Sequence, residues 1–315
     1  MKVESNKKSS DAITKTPLFQ ESQVRGIGGA SCARVESNKN NEIIVYDAVP
    51  LDLEQTLDCG QCFRWTKNED NSFTGIAFGK VITAKMNNTD LVLSGVSLED
   101  YETIWEPYFD LNTDYNEIIS QLSRSHPVLA KAAEYASGIR ILRQEPFETL
   151  CTFIISQNNN IKRIKGIIRR LCENFGDAIT TSQGEEAYFA FPSLEKMASL
   201  TEEDLQVIKA GFRSRYLIDC AQKLSKKQID ISICKNAPYE EAQSELMKIL
   251  GIGKKVSDCI LLFAFHRTES FPVDVWMKRA LSTLFADLDP KILGSYAGIA
   301  QQYIFHYSRM HPESV

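Results

Sequence analysis

Three regimes of hydrophobic patterning follow one another along the chain. Residues 1–40 are rich in Ser, Asn, Lys and Gly, with neither a strand nor a helix period. They are expected to form a disordered N-terminal extension, because they bury too little apolar surface to offset the entropy of ordering. The pentapeptide Val-Glu-Ser-Asn-Lys occurs there twice, at Val3–Lys7 and Val35–Lys39, and is too short for a structural repeat. From Glu42 to Val96, short β-branched and aromatic runs alternate with turn residues. Ile43–Tyr46, Cys62–Trp65, Phe73–Phe78, Lys80–Met86 and Leu91–Leu93 read as strands, with hairpins at Asn68–Asn71, Phe78-Gly79-Lys80 and Asn87–Asp90. Ser97 opens a capping-type Ser-Leu-Glu-Asp start, and apolar positions then recur at helical spacing nearly to the end. The spacing predicts helices over 98–108, 114–122, 127–136, 146–156, 160–174, 194–198, 202–208, 213–225, 239–249, 255–266, 275–286 and 290–308. Gly138, Gly176, Pro192, Gly211, Pro238, Gly251 and Pro272 punctuate them. The expected fold class is α+β: an antiparallel β-sheet domain over 41–125 followed by an all-α body over 126–315.

Composition narrows the class. The 315 residues are 43 % hydrophobic and 24 % charged, which excludes a wholly disordered or collagenous chain. No run approaches 18 uninterrupted apolar residues, so no membrane partner is expected. The first thirty residues lack an apolar signal region, and the eight cysteines then read as reduced thiols. Both points suggest an intracellular protein, cytoplasmic if bacterial, with a nucleus left open. The net charge of −5 announces no polyanion, but it hides an asymmetry. Ile155–Arg170 contains five cations and no acid, and Lys209–Lys227 contains six cations against Asp219 alone. Such segments are either solvated helix faces or the footprint of a polyanion.

The sharpest local signal is Leu246-Met-Lys-Ile-Leu-Gly-Ile-Gly-Lys-Lys-Val-Ser-Asp-Cys-Ile-Leu-Leu262. A helix is expected to end at Leu250, Gly251 and Gly253 permit a tight turn, and a second helix begins near Lys254. In such a helix-hairpin-helix, over 239–266, the glycines let backbone amides approach a phosphate at the start of the second helix. The unit reads backbone rather than sequence. Lys255 lies at that helix start, and Asp274, in Phe-Pro-Val-Asp-Val-Trp, is placed to cap the next helix. The helix N-terminus and the neighbouring Lys254 should favour a neutral, nucleophilic Lys255 amine. A neutral amine can attack a sugar C1′, and a carboxylate opposite can stabilise the cationic sugar. On spacing alone, Lys255 contacting a phosphate and Asp274 serving only as a cap remain open.

Hairpin, lysine and Pro-Val-Asp together resemble the helix-hairpin-helix superfamily of DNA base-excision glycosylases. Within it, residues 42–308 are similar to the 8-oxoguanine DNA glycosylase family. The likeness rests on Cys59-Gly-Gln-Cys-Phe-Arg-Trp65, Asn158-Asn-Asn-Ile-Lys-Arg163, Gly211-Phe-Arg-Ser-Arg-Tyr216 and Gly298-Ile-Ala-Gln-Gln-Tyr-Ile-Phe305. The resemblance implies a two-part helical body beside the sheet, duplex DNA containing 8-oxoguanine as partner, and a flipped-out nucleotide. It implies Lys255 as Schiff-base nucleophile and Asp274 as transition-state carboxylate. Gly60 would read the lesion through its carbonyl, Gln301 its Watson–Crick edge, and Phe305 and Cys259 its two faces. Asn158, Arg163 and Arg213 would hold the opposite cytosine, Phe212 would be the wedge, and Gly251 and Gly253 would meet the phosphate.

The family pattern is not followed everywhere. Trp276 stands where many animal members have histidine, and Phe212 replaces a frequent tyrosine; both look similar to bacterial-type members. An iron–sulfur cluster is not expected, since no cysteine follows Cys259. No cofactor is implied beyond a structural cation on hairpin carbonyls, and no catalytic metal. Cys59-x-x-Cys62 alone invites a zinc or redox reading, but no second pair at metal spacing accompanies it. A monomer is the expected state, and no protein partner is deducible. The competing readings are a non-catalytic hairpin module that only binds DNA, and a monofunctional alkyl-base glycosylase, against which Lys255 argues.

Overall fold

A computed structural model describes residues 34–38, 42–180 and 188–312. Strands β1 (Val35–Ser37), β2 (Glu42–Val45), β3 (Trp65–Lys67), β4 (Phe73–Ala77), β5 (Lys80–Asn87) and β6 (Asp90–Ser94) form one antiparallel sheet, ordered β1-β2-β6-β5-β4-β3. Period-two alternation fixes its register: Ile43 and Val45 of β2 pair with Leu93 and Leu91 of β6, and all four are buried. Trp65 faces Gly75 across β3 and β4, and a Cβ on Gly75 would lie 2.2 Å from the indole, so only glycine fits beneath the ring. The indole nitrogen of Trp65 donates to the Tyr108 hydroxyl at 2.8 Å, within a core shared with Tyr101, Trp105 and Phe109.

The helical part comprises α1 (Leu53–Asp58), α2 (Leu98–Asp100), α3 (Glu106–Tyr108), α4 (Tyr115–Ser125), α5 (Pro127–Tyr135), α6 (Pro146–Ser156), α7 (Ile161–Phe175), α8 (Leu194–Ser199), α9 (Arg213–Ser225), α10 (Tyr239–Leu246), α11 (Lys254–Phe265), α12 (Val275–Ser282) and α13 (Ala297–Met310). One π turn, Tyr101–Trp105, joins α2 to α3, and Ser97 caps the stretch by accepting from the Asp100 amide at 3.1 Å. A short ribbon, β7 (Ala178–Ile179) with β8 (Tyr188–Phe189), follows α7. The reason for α7 is legible in its residues. Asn160 caps it, and Ile164, Ile167, Ile168, Leu171 and Cys172 recur on one buried face.

The structure departs from the sequence reading at several points. Residues 35–37, placed in the disordered extension, form the edge strand β1, with Val35 opposite Val45 and the Tyr46 hydroxyl donating to Glu36 at 2.8 Å. The rest of that expectation, residues 1–33 and 39–40, lies outside the described residues. Helix α1 was not predicted, since six residues are too few to display a period. The strand expected at Cys62–Trp65 begins only at Trp65, because the preceding residues wrap a buried loop. Helix α10 stops at Leu246; Lys248 and Ile249 form tighter bonds three residues back, and the Asp219 carboxylate captures the Leu250 amide at 2.7 Å. The expected 290–308 helix divides at Gly294, whose φ of 54° is non-helical. Residues Tyr115, Ile118 and Leu122 of α4 join the helical core, although the sheet domain was expected to reach 125.

Candidate active site

The pocket begins with the loop that follows α1. Gln61 is fully buried, and its amide nitrogen donates to the carbonyls of Thr56 and Arg140, both at 2.8 Å, while its oxygen accepts from the Leu142 amide at 2.9 Å. This anchors 59–62 to the segment linking the sheet to the helices. The thiols of Cys59 and Cys62 donate to the carbonyls of Thr56 and Leu57, and burial pushes the Cys59 thiol up to about 11. Next to them, Gly60 takes a φ of +92°, a left-handed conformation costly for any side chain, with open space where a Cβ would be. Among the described residues its carbonyl accepts no hydrogen bond.

Opposite lies the hairpin. Gly251, with φ +82°, packs against Tyr216 so closely that a Cβ would sit 2.4 Å from the ring. Gly253 opens α11 with no side-chain cap, leaving the first amides of that helix for an anion. Asp274 accepts from the Met277 amide at 2.8 Å and caps α12, as its position after Pro272 predicts. Gln301 and Phe305, one turn apart on α13, complete the wall. A cleft open to solvent, with about 60 Å³ of room for water-sized molecules, is lined by Gly60, Lys255, Cys259, Asp274, Gln301 and Phe305 together. Phe153 and Phe263, stacked at 5.3 Å, also line it. Sequence reasoning missed them, and also Gln302, because an apolar helix face gives no sign of which aromatic borders a cavity.

One electrostatic expectation is overturned. Lys255 was expected to be held neutral, but the Cys259 sulfur and then the Asp274 carboxylate push its pKa up, against the effect of burial. Cys259 itself is driven up, chiefly by burial.

The groups expected at the opposite cytosine gather around one loop. Asn158, at φ 49°, is exposed between α6 and α7. Arg213 is buried; its guanidinium donates to the carbonyls of Gln157, Asn158 and Ala210, using four of its five N–H groups. Arg163 is exposed and close enough to depress the Arg213 pKa, after burial. Phe212 stands beside them, 51 % exposed, with the Arg213 guanidinium 4.5 Å from its ring centre. Parts of the basic segments are spent on structure: Lys165 donates to the Trp65 carbonyl at 3.2 Å, and Arg170 to that of Ile208 at 2.8 Å. Trp276 is half-buried, with the Arg279 guanidinium 5.7 Å from its ring centre.

A lysine and a carboxylate lining one cleft behind a two-glycine turn define a helix-hairpin-helix base-excision protein, and the comparisons agree. Residues 43–150 match the family model of the 8-oxoguanine DNA glycosylase N-terminal domain, and residues 151–291 that of the HhH-GPD superfamily of base excision DNA repair proteins. An N-glycosylase/DNA lyase of Saccharomyces cerevisiae is 36 % identical over 254 residues, covering 73 % of this chain and 67 % of that protein. The 8-oxoguanine glycosylase/lyase of Clostridium acetobutylicum, solved with double-stranded DNA containing cytosine opposite 8-oxoG, aligns with a TM-score of 0.82 and 37 % identity. That alignment covers 90 % of this chain and all of the other. The apo-form of the same enzyme gives a TM-score of 0.83 at 38 % identity over 88 % of this chain and 100 % of that one. This chain belongs to the 8-oxoguanine DNA glycosylase family.

Proposed function

We propose that the protein is a bifunctional DNA glycosylase and abasic-site lyase that excises 8-oxoguanine and related oxidised purines opposite cytosine in duplex DNA. The observation that supports this reading is the convergence of Lys255, Asp274, Gly60, Cys259, Gln301 and Phe305 on one cleft. In this reading the damaged nucleotide is flipped into the cleft, at a cost in stacking that Phe212 offsets by filling the gap. Asn158, Arg163 and the last free N–H of Arg213 hold the widowed cytosine, while the amides around Gly251 and Gly253 grip the backbone.

The Gly60 carbonyl discriminates by the N7 position. Guanine presents an acceptor there, whereas the 8-oxo form presents N–H, a difference of about 1–3 kcal/mol when one pair is bonded and the other repels. As the C1′–N9 bond breaks, its electrons leave with the base and Asp274 stabilises the cationic sugar. The Lys255 amine, having lost its proton, bonds to C1′, and the departing purine anion takes up one proton. Opening of the sugar gives a Schiff base, from which the 3′ phosphate leaves by β-elimination, and water then releases the lysine. No cofactor enters this scheme. We place the protein as an intracellular monomer; among the described residues no helix is long and apolar enough to cross a membrane.

Borohydride reduction on a duplex bearing 8-oxoguanine opposite cytosine tests the reading. It should cross-link the wild type through Lys255, and Lys255→Gln should bind without cross-linking. Wild-type binding with no cross-link would leave only the DNA-binding module.

A further inference from the structure

Gln301 does not stand alone. Its neighbour Gln302 donates from Nε2 to the Gln301 Oε1 at 2.7 Å, and both side chains are buried in the wall of the same cleft. Adjacent residues on a helix point about 100° apart and do not ordinarily meet. Here both side chains curl toward the cavity. The arrangement is also asymmetric: the Oε1 of Gln302 is buried with no hydrogen-bond partner among the described residues. Gln302 thus gives a donor to Gln301 and leaves its own acceptor unsatisfied, an unfavourable state that an apolar residue of similar size would avoid.

The amide of glutamine offers N–H donors on one side and a carbonyl acceptor on the other, and rotation by half a turn exchanges them. The two purine edges are opposites in this respect. Guanine presents an acceptor at position 6 and N–H at position 1; adenine presents a donor at position 6 and a bare nitrogen at position 1. A freely rotating Gln301 could pair with either. One whose oxygen is held by a fixed donor can pair with only one.

We propose that Gln302 is a positioning residue that fixes the Gln301 amide in one orientation and so restricts the cleft to a guanine-type edge. This rests on the reading of Gln301 as the group facing the base. The 8-oxo modification places N–H at position 7 in both purines, so the Gly60 carbonyl cannot separate them. Discrimination between 8-oxoguanine and 8-oxoadenine therefore falls to Gln301 as Gln302 holds it.

The test is single-turnover excision of each lesion, placed opposite cytosine, by wild type, Gln302→Met and Gln302→Glu, with thermal melting of all three. Loss of one hydrogen bond from Gln302→Met should lower excision efficiency on 8-oxoguanine about 3–10-fold, and the preference over 8-oxoadenine should shrink. In Gln302→Glu the carboxylate only accepts, so it draws the Gln301 nitrogen toward itself and should shrink the preference further. An unchanged preference in either folded variant, even one with a lower melting temperature, would overturn the proposal and leave Gln302 a structural residue. A wild type inactive on 8-oxoguanine would instead sink the underlying reading of the cleft.

Discussion

Cys259 sits one helical turn beyond Lys255 on α11, and both line the same cleft. It is the first cause of the raised lysine pKa, ahead of Asp274. Nucleophilic attack needs the neutral amine, so the limb on which Schiff-base formation rises with pH lies above the ordinary lysine range. Cys259→Ala removes the leading cause and should move that limb to lower pH. Borohydride trapping rates across pH would show it; an unmoved limb would mean the sulfur does not set the amine.

Gly60 is tested most directly by one methyl group. Nothing lies within 4 Å of its missing Cβ, so Gly60→Ala meets no clash but forces a side chain into φ +92°. A strain of roughly 1–2 kcal/mol is expected, most simply relieved by rotation of the peptide that presents the carbonyl. The ratio of 8-oxoguanine to guanine excision should fall about tenfold, while affinity for undamaged duplex holds. Competition between the two duplexes measures it.

Two arginines of the same loop should part company. Arg163 is exposed, so Arg163→Ala should leave the melting temperature nearly unchanged, with a cost within about 0.5 kcal/mol, and weaken the preference for cytosine opposite the lesion. Arg213 is buried against three carbonyls, and Arg213→Ala should destabilise by about 2–3 kcal/mol by leaving them unpaired. Denaturant unfolding together with excision opposite each base separates the two effects.

Acid stability should depend on Asp110. Burial alone would raise its pKa, but the ion pair with His266, 3.4 Å away, and then Arg143, hold the carboxyl well below the usual range. A depressed folded pKa contributes stability above the unfolded value, about 4, and loses it as pH falls through the folded one. Asp110→Asn should cost roughly 3 kcal/mol at neutral pH and flatten the acid limb of the stability curve. Unfolding at pH 7 and pH 3 checks both.

The lining of the cleft was legible because local sequence marks its residues strongly. Lys255 follows a two-glycine turn, Asp274 follows a proline and caps a helix, and Gln301 and Phe305 are one helical turn apart. Helices such as α6 and α9 were equally clear, since their apolar faces run three turns or more. Other features left no local trace. Strand β1 exists only because β2 offers it a partner, and α1 is too short for a period. Two of the three carbonyls that occupy Arg213, those of Gln157 and Asn158, lie more than fifty residues away, so its burial was invisible beside the exposed Arg163. The sign of the Lys255 shift depended on a sulfur and a carboxylate whose approach only the folded chain reveals.

Gly298, at the start of α13, would place a Cβ 2.4 Å from Leu262 of α11 and 2.8 Å from the Ser270 carbonyl. Helix α13 therefore starts hard against a side chain of the helix that bears Lys255 and against the loop that leads to Asp274. If Gln301 reads the base and Asp274 serves the bond cleavage, as proposed, a mutation that shifts the start of α13 must disturb both at once. Specificity and rate would then be tied through this one contact.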